Sequence, residues 1–147
     1  RLLNNHLQTT SVSQNRKKWE RELAADNTRR EAQAVQDAAE TLHENFVKRA
    51  FQTDSICQLA TASPHPVLVC GDFNSLPSSY TYHRFSESLK DGFKTGGHGY
   101  MYTYRYGKRM LRIDYAFHSP ELECTDYYSP NLDLCSDHNP VIFTVKY

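Results

Sequence analysis

Residues 66–79 read PVLVCGDFNSLPSS, an apolar run that ends in glycine, aspartate and asparagine ahead of a proline-containing turn. Val67 to Cys70 is short, continuous and rich in β-branched residues, the pattern of a buried strand. Leu76-Pro77-Ser78-Ser79 is a turn able to launch a short helix, expected over about residues 79–89. Between strand and turn, Asp72 and Asn74 stand two apart. On an extended backbone they project to one side, while Phe73 points the opposite way into packing. A lone Asp at a strand end is ordinarily a turn residue. Its meaning depends on what other segments bring to the same edge.

Upstream, Leu2 to Thr9 reads as a strand, and residues 11–27 are polar around Trp19, either helical or mobile. A helix is expected from about Thr28 to Phe51. Thr28-Arg-Arg-Glu31 fits a capping box, and Val35, Ala38/Ala39, Leu42, Phe46 and Ala50 recur at helical spacing. Its charged face is expected to be solvated. Ser63-Pro64-His65-Pro66 ends the helical region. Downstream, residues 92–99 read as a loop. Met101 to Tyr106 and Met110 to Phe117 read as a hairpin around Tyr106-Gly107-Lys108. Residues 119–136 are mostly loop, and PVIFTVKY (140–147) is a last strand. The order makes a mixed α/β chain, and 147 residues suit a single domain.

Lys+Arg and Asp+Glu are 17 each, so the formal charge is zero and any phosphate binding must be local. No apolar run approaches the ~18 residues of a membrane span, and no signal peptide is visible. Cys57, Cys70, Cys124 and Cys135 have no zinc-site spacing and are expected as buried or half-buried free thiols. The chain opens without Met, almost directly in a strand, which suggests a portion of something longer.

Three further segments place polar groups at apolar strands. Arg112-Ile-Asp114-Tyr-Ala-Phe sets a carboxylate in a strand, where burial demands a partner, and histidine is an obvious one. Ser136-Asp137-His138-Asn139-Pro140 sets Asp and His just before a strand, though the pair could merely cap a turn. Asn5-His6-Leu7 puts a His in the opening strand. Ligand sites in α/β folds form where strand ends gather such groups. Hard oxygen ligands such as Asp72 and Asp137 suit Mg²⁺ or Mn²⁺. An Asn supplies neutral donors for charge on a phosphorane-like transition state. A His oriented by a carboxylate becomes an acid, base or oxyanion partner. No Ser or Cys lies in a motif for a covalent intermediate, so water beside a metal is the economical nucleophile.

GDFNS, RIDYAF and SDHNPV, in that order behind an HLQT strand, resemble the endonuclease/exonuclease/phosphatase superfamily of metal-dependent phosphoesterases. The resemblance runs from His6 to Val145. It implies an α/β (α+β type) fold, a four-layer sandwich of two mostly antiparallel sheets between helices, with this chain its C-terminal part. By position, Asp72 is similar to the aspartate that orients or deprotonates the attacking water, and it also ranks as a metal ligand. Asn74 resembles the residue that positions the water and contacts the scissile phosphate. Asp137 resembles a metal-ligand aspartate, His138 the phosphate-contacting histidine and Asp114 its carboxylate partner. His6 falls where some members carry a second phosphate-contacting histidine.

Two departures accompany the resemblance. Members carry an Asn and a metal-binding Glu ahead of the His6 strand, and this chain has no sequence there. The expectation is weak Mg²⁺ binding, little hydrolysis by these residues alone, and exposed edges that favour self-association. The second is Arg-Ile-Asp-Tyr in the RIDYAF motif, which resembles nuclease and sphingomyelinase branches more than inositol phosphatases. The expected substrate is therefore a phosphate ester of nucleic acid or of a phospholipid or phosphosugar head group. Arg105, Lys108, Arg109 and Arg112 could form a basic patch for nucleic acid, or a solvated turn with one strand Arg. The competing class is a non-catalytic binding or assembly module. The intact Asp72, Asn74, Asp114, Asp137 and His138 argue against it.

Overall fold

The computed structural model describes residues 1–10, 28–106, 108–132 and 135–147. Trp19 with its segment and Gly107 of the expected turn lie outside the described residues, as do the side chains of Thr28 and Glu31.

Strand β1 (Leu2–His6) is followed by helix α1 (Thr28–Thr61), strand β2 (Leu68–Asp72), helix α2 (Tyr80–Ser86), a short strand β3 (Lys90–Asp91) and helix α3 (Gly92–Gly96). Strands β4 (Asp114–His118), β5 (Glu123–Tyr128) and β6 (Ile142–Lys146) complete the chain. One sheet has the order β1-β2-β4-β3, with β1 parallel to β2 and the other pairs antiparallel. The other is the antiparallel pair β5-β6, with an irregularity between Cys124 and Asp126.

The sheet of β2 and β4 is covered on both faces, which is why Tyr115, Ala116, Phe117 and His118 are all buried. On one face α1 and α2 close a core of Leu7, Cys57, Val67, Val69, Phe73, Phe85, Tyr115 and Phe117. Phe73 sits at its centre, fully buried, with ring centroids of Phe85, Tyr115 and Phe117 at 5.0, 5.3 and 5.6 Å. The other face packs Ala116 against Met101, Cys124 and Tyr127, with Phe143 and Val145 of the small sheet behind them. The layers are helix, sheet, sheet, in the α/β class that the motifs imply.

Several local expectations change. Helix α1 runs ten residues past Phe51, because Thr53, Cys57 and Ala60 continue the buried stripe and no Gly or Pro intervenes before Pro64. The stripe that faces inward is Ala34, Asn45, Arg49, Thr53, Cys57 and Ala60, whereas Val35 and Phe46 of the expected apolar face are more than half exposed. Polar residues hold the inner face through hydrogen bonds, so hydrophobic spacing misplaces it. The charged face is likewise not wholly solvated, since Arg49 is buried.

The expected loop at 92–99 contains α3, capped by the Asp91 carboxylate, which accepts from Phe93 N at 3.0 Å. The expected loop at 119–136 contains β5. The 101–117 segment is no regular hairpin: Tyr104 bridges Leu111 on one side and His138 on the other. Thr103 is the reason, because its hydroxyl accepts from Ile113 N (3.0 Å) and Asp114 N (3.1 Å), replacing a backbone ladder. Lys108 and Arg109 adopt left-handed φ of 61° and 55°. All four cysteines are free, but Cys135 is exposed. Burial pushes the Cys57 thiol up to about 11.

Candidate active site

The register of three strands builds one edge of the site. β1 pairs His6 with Asp72, and β4 pairs Asp114 with Asp72, so the three residues form a row across adjacent strands. Gly71 permits this approach at φ 131°, where an added Cβ would lie 1.9 Å from the Asn5 carbonyl oxygen. The Tyr104–His138 bridge then brings the 136–139 segment over the row, with Asn139 N donating to Thr103 O at 2.7 Å.

Asp72 is gripped by Asn74, whose backbone N donates to Asp72 Oδ1 at 2.8 Å and whose Nδ2 donates to Asp72 Oδ2 at 3.0 Å. The second Nδ2 hydrogen goes to Leu7 O at 3.1 Å, so both amide donors of Asn74 are engaged. Asn74 takes a left-handed φ of 48° to make these bonds. Arg49 anchors that turn from α1, donating to Asn74 O at 2.6 Å and to Gln8 O at 2.8 Å. Its burial lowers the guanidinium pKa, and the charge of Asp72 works against that. The spacing of hydrophobic residues carries no signal for Arg49. An i, i+4 row of Asn45, Arg49 and Thr53 on a long helix was the available clue.

Asp114 Oδ2 pairs with His138 Nδ1 at 2.8 Å, which leaves Nε2 as the open ring nitrogen. This hydrogen bond raises the His138 pKa despite partial burial, with the charges of Asp114, Asp72 and Asp137 adding to it. Asp72 is shifted upward too, first by burial and then by Asp114, while the bond from Asn74 N opposes the shift. His6 Nε2 lies 3.5 Å from Asp72 Oδ2, with its side chain 75% exposed at the rim.

Asp72, Asp114, Tyr115, His138 and Asn139 line a depression of about 400 Å³ whose walls include Val141 and Phe143. Ligand atoms of Asp72, Asp114 and His138 fall within 4.8 Å of one another, so this cluster could hold a metal ion. With His138 Nδ1 bonded to Asp114, carboxylate oxygens are the donors at hand, which fits a hard divalent cation. Asp137 is not part of the cluster. It is exposed and lines a neighbouring depression with Arg105, Tyr106 and Arg109, joined to the first through Ser136.

Arg112 is withdrawn from the basic patch considered above. It is buried in a two-pronged ion pair with Asp91, at 3.1 and 2.8 Å, and only Arg105, Lys108 and Arg109 remain near the turn. Among the described residues no helix is long and apolar enough to cross a membrane.

The family model described as "Endonuclease/Exonuclease/phosphatase family" matches residues 15–138. No curated protein matches the chain in sequence. Among solved structures, an endonuclease/exonuclease/phosphatase from Bacteroides vulgatus is 26% identical with a TM-score of 0.56, covering 70% of this chain and 44% of its own. A functionally unknown conserved protein from Enterococcus faecalis is 18% identical with a TM-score of 0.61, covering 69% and 45%. A mannosyl-6-phosphatase from Bacteroides thetaiotaomicron is 23% identical with a TM-score of 0.51, covering 71% and 46%. The chain spans less than half the length of these structures.

Proposed function

Because the chain belongs to the endonuclease/exonuclease/phosphatase family, we propose that the whole protein is a metal-dependent hydrolase of phosphoester bonds, acting by attack of water on phosphorus. The observation that carries this reading is the single constellation of Asp72, held by Asn74, facing His138, held by Asp114. Asp72 accepts the proton of the attacking water. Asn74 keeps both carboxylate oxygens in register. His138 presents Nε2 to a phosphoryl oxygen while Asp114 favours the imidazolium form. His6, at the rim, assists phosphate binding.

Asp72 and Asp114, whose carboxylate oxygens cluster in the depression, would hold Mg²⁺ or Mn²⁺, which supplies charge neutralisation and a more acidic bound water. The substrate is a phosphodiester or phosphomonoester of nucleic acid or of a phospholipid or phosphosugar head group. The 147 residues on their own hydrolyse weakly, in keeping with their span of less than half of the solved relatives.

The test is a panel on the full-length protein with Mg²⁺, comprising plasmid DNA, abasic-site duplex, sphingomyelin, phosphoinositides and bis-p-nitrophenyl phosphate. At least one is expected to be cleaved, with chelation abolishing the reaction. Asp72→Asn is expected to lower kcat by about 10²–10⁴-fold. Cleavage that survives both chelation and Asp72→Asn defeats the reading. Equal activity of the 147 residues and the full chain defeats only the weak-activity clause.

A further inference from the structure

A second depression adjoins the catalytic one, and no step of the hydrolysis proposed above uses it. Arg105, Tyr106, Arg109, Cys135, Ser136 and Asp137 line it, and its volume of about 660 Å³ leaves room for a phosphate group. Ser136 lines both depressions and stands two residues before His138, a reach of at most ~7 Å along the chain. The Tyr104 ring joins them on another side, with its centroid 5.2 Å from that of His138 and 5.8 Å from that of Tyr106. Tyr106 itself is 66% exposed.

The two arginines of this depression differ. Arg105 is tied down, since its N donates to Asp137 O at 2.8 Å and its Nη1 to Ser136 O at 2.9 Å. These bonds fasten the turn to the segment that carries His138. Tyr104 N donates to Leu111 O at 3.0 Å and the Tyr100 hydroxyl donates to Met110 O, which closes the base of the turn. Arg109 is exposed, and among the described residues its guanidinium makes no hydrogen bond or ion pair. It takes a left-handed φ of 55°, directly after Lys108 at 61°. Two successive positive φ suit a pair such as Asn-Gly, and longer side chains adopt them only at a cost. Among the described lining residues Asp137 is the one carboxylate against two guanidinium groups, so the local charge favours an anion. An unpaired cation kept where glycine fits better, beside a catalytic depression, is a group held for a ligand.

We propose that this depression is an anion subsite in which Arg109 binds a second phosphate of the substrate, while the phosphate to be hydrolysed sits at His138. The proposal rests on the phosphoester reading above and narrows it, because the preferred substrate then carries two phosphate groups, on a nucleotide or on a sugar. A guanidinium suits the role, since its planar fork matches two oxygens of one phosphate. Arg105, fixed by its own bonds, adds positive charge to the wall.

Two substrate pairs, assayed on the full-length protein with Mg²⁺, test the subsite. One is thymidine 5′-(p-nitrophenyl phosphate) with and without a 3′-phosphate. The other is glucose 6-phosphate against glucose 1,6-bisphosphate. The second phosphate is expected to raise kcat/KM about 10–10²-fold in at least one pair, mainly through KM, and the pair that responds identifies the source. Arg109→Gly and Arg109→Asn both tolerate the left-handed backbone, and each is expected to bring that ratio close to one. Their ligand-free melting temperatures are expected to stay equal or rise. A merely structural Arg109 would lower the melting temperature and leave the ratio in place.

A ratio near one in both pairs for the unaltered protein, with Asp72→Asn inactive on them, overturns the subsite and leaves the phosphoester reading standing. So does failure to cleave either bisphosphorylated member by a protein that cleaves bis-p-nitrophenyl phosphate. A preference that survives in both Arg109 variants overturns it as well. If Asp72→Asn itself retains full turnover on these substrates, the phosphoester reading fails and the proposal falls with it.

Discussion

Two carboxylate–cation pairs flank strand β4, and they have opposite characters. Asp91 and Arg112 meet in a buried two-pronged contact, with side chains 1% and 8% exposed. Tyr82 donates a further bond to Asp91 at 2.8 Å, and the Arg112 guanidinium lies 4.6 Å from the Tyr115 ring centroid and 4.8 Å from that of Phe93. Burial works to lower the Arg112 pKa, but the bond and charge of Asp91 outweigh it and the net shift is upward. Asp114 and His138 share one 2.8 Å bond at the edge of an open depression, with side chains 16% and 23% exposed. A permanent cation closed off on every side is a brace. Under the proposed function, a titratable cation with one nitrogen still open is a tool. Partner chemistry and residual exposure separate the two roles.

The largest expected effect sharpens this contrast on the catalytic side. His138→Gln in the full-length protein is expected to cut kcat by about 10²–10⁴-fold. Its urea midpoint should move little, since the pair is partly solvated. A turnover within a factor of two of wild type breaks the assignment of His138. On the other side, Arg112→Met strands a buried Asp91 carboxylate and is expected to lose about 3–5 kcal/mol of stability. The molecules that remain folded, assayed well below the unfolding midpoint, should keep kcat. A loss under 1 kcal/mol, or a kcat that falls as steeply as in His138→Gln, would falsify the division into brace and tool.

What could be read from the chain alone follows from the same contrast. GDFNS, RIDYAF and SDHNPV are compact strings at strand ends, so Asp72, Asn74, Asp114 and His138 were legible together, as was the inward Phe73. The burial of Arg112 was not legible because Asp91, its partner, lies 21 residues away and no local pattern joins them. Arg49 escaped for a related reason, since hydrophobic spacing assumes that the inner face of a helix is apolar. Here Asn45 and Arg49 grip carbonyls just beyond β1 and β2, and Thr53 bonds the Thr81 hydroxyl of α2. β5 was missed because ECTDYY buries only Cys124 and Tyr127 and carries acids on its exposed face. That neither polar end of the buried Asn139 side chain finds a protein partner is a three-dimensional fact that no string of letters contains.

The smallest expected effect is a pH dependence that only one pair can show. Asp114 raises the His138 pKa above its ordinary 6.5, so the folded state holds that proton more tightly than the unfolded chain does. The resulting stabilisation is fully present below about pH 6.5 and is lost as pH rises through the elevated folded value. Arg112 keeps its proton across the same range, so its pair with Asp91 adds no slope there. Urea midpoints of the full-length protein in chelator, followed from pH 6 to 9, should therefore decline with pH, and Asp114→Asn should flatten the decline. Asp72 is also shifted upward, chiefly by burial that both proteins share, so most of its contribution cancels in the difference. An identical slope in wild type and Asp114→Asn would mean that the Asp114–His138 bond does not hold the proton. His138 would then act at its ordinary pKa, and the contrast with Arg112 would rest on exposure alone.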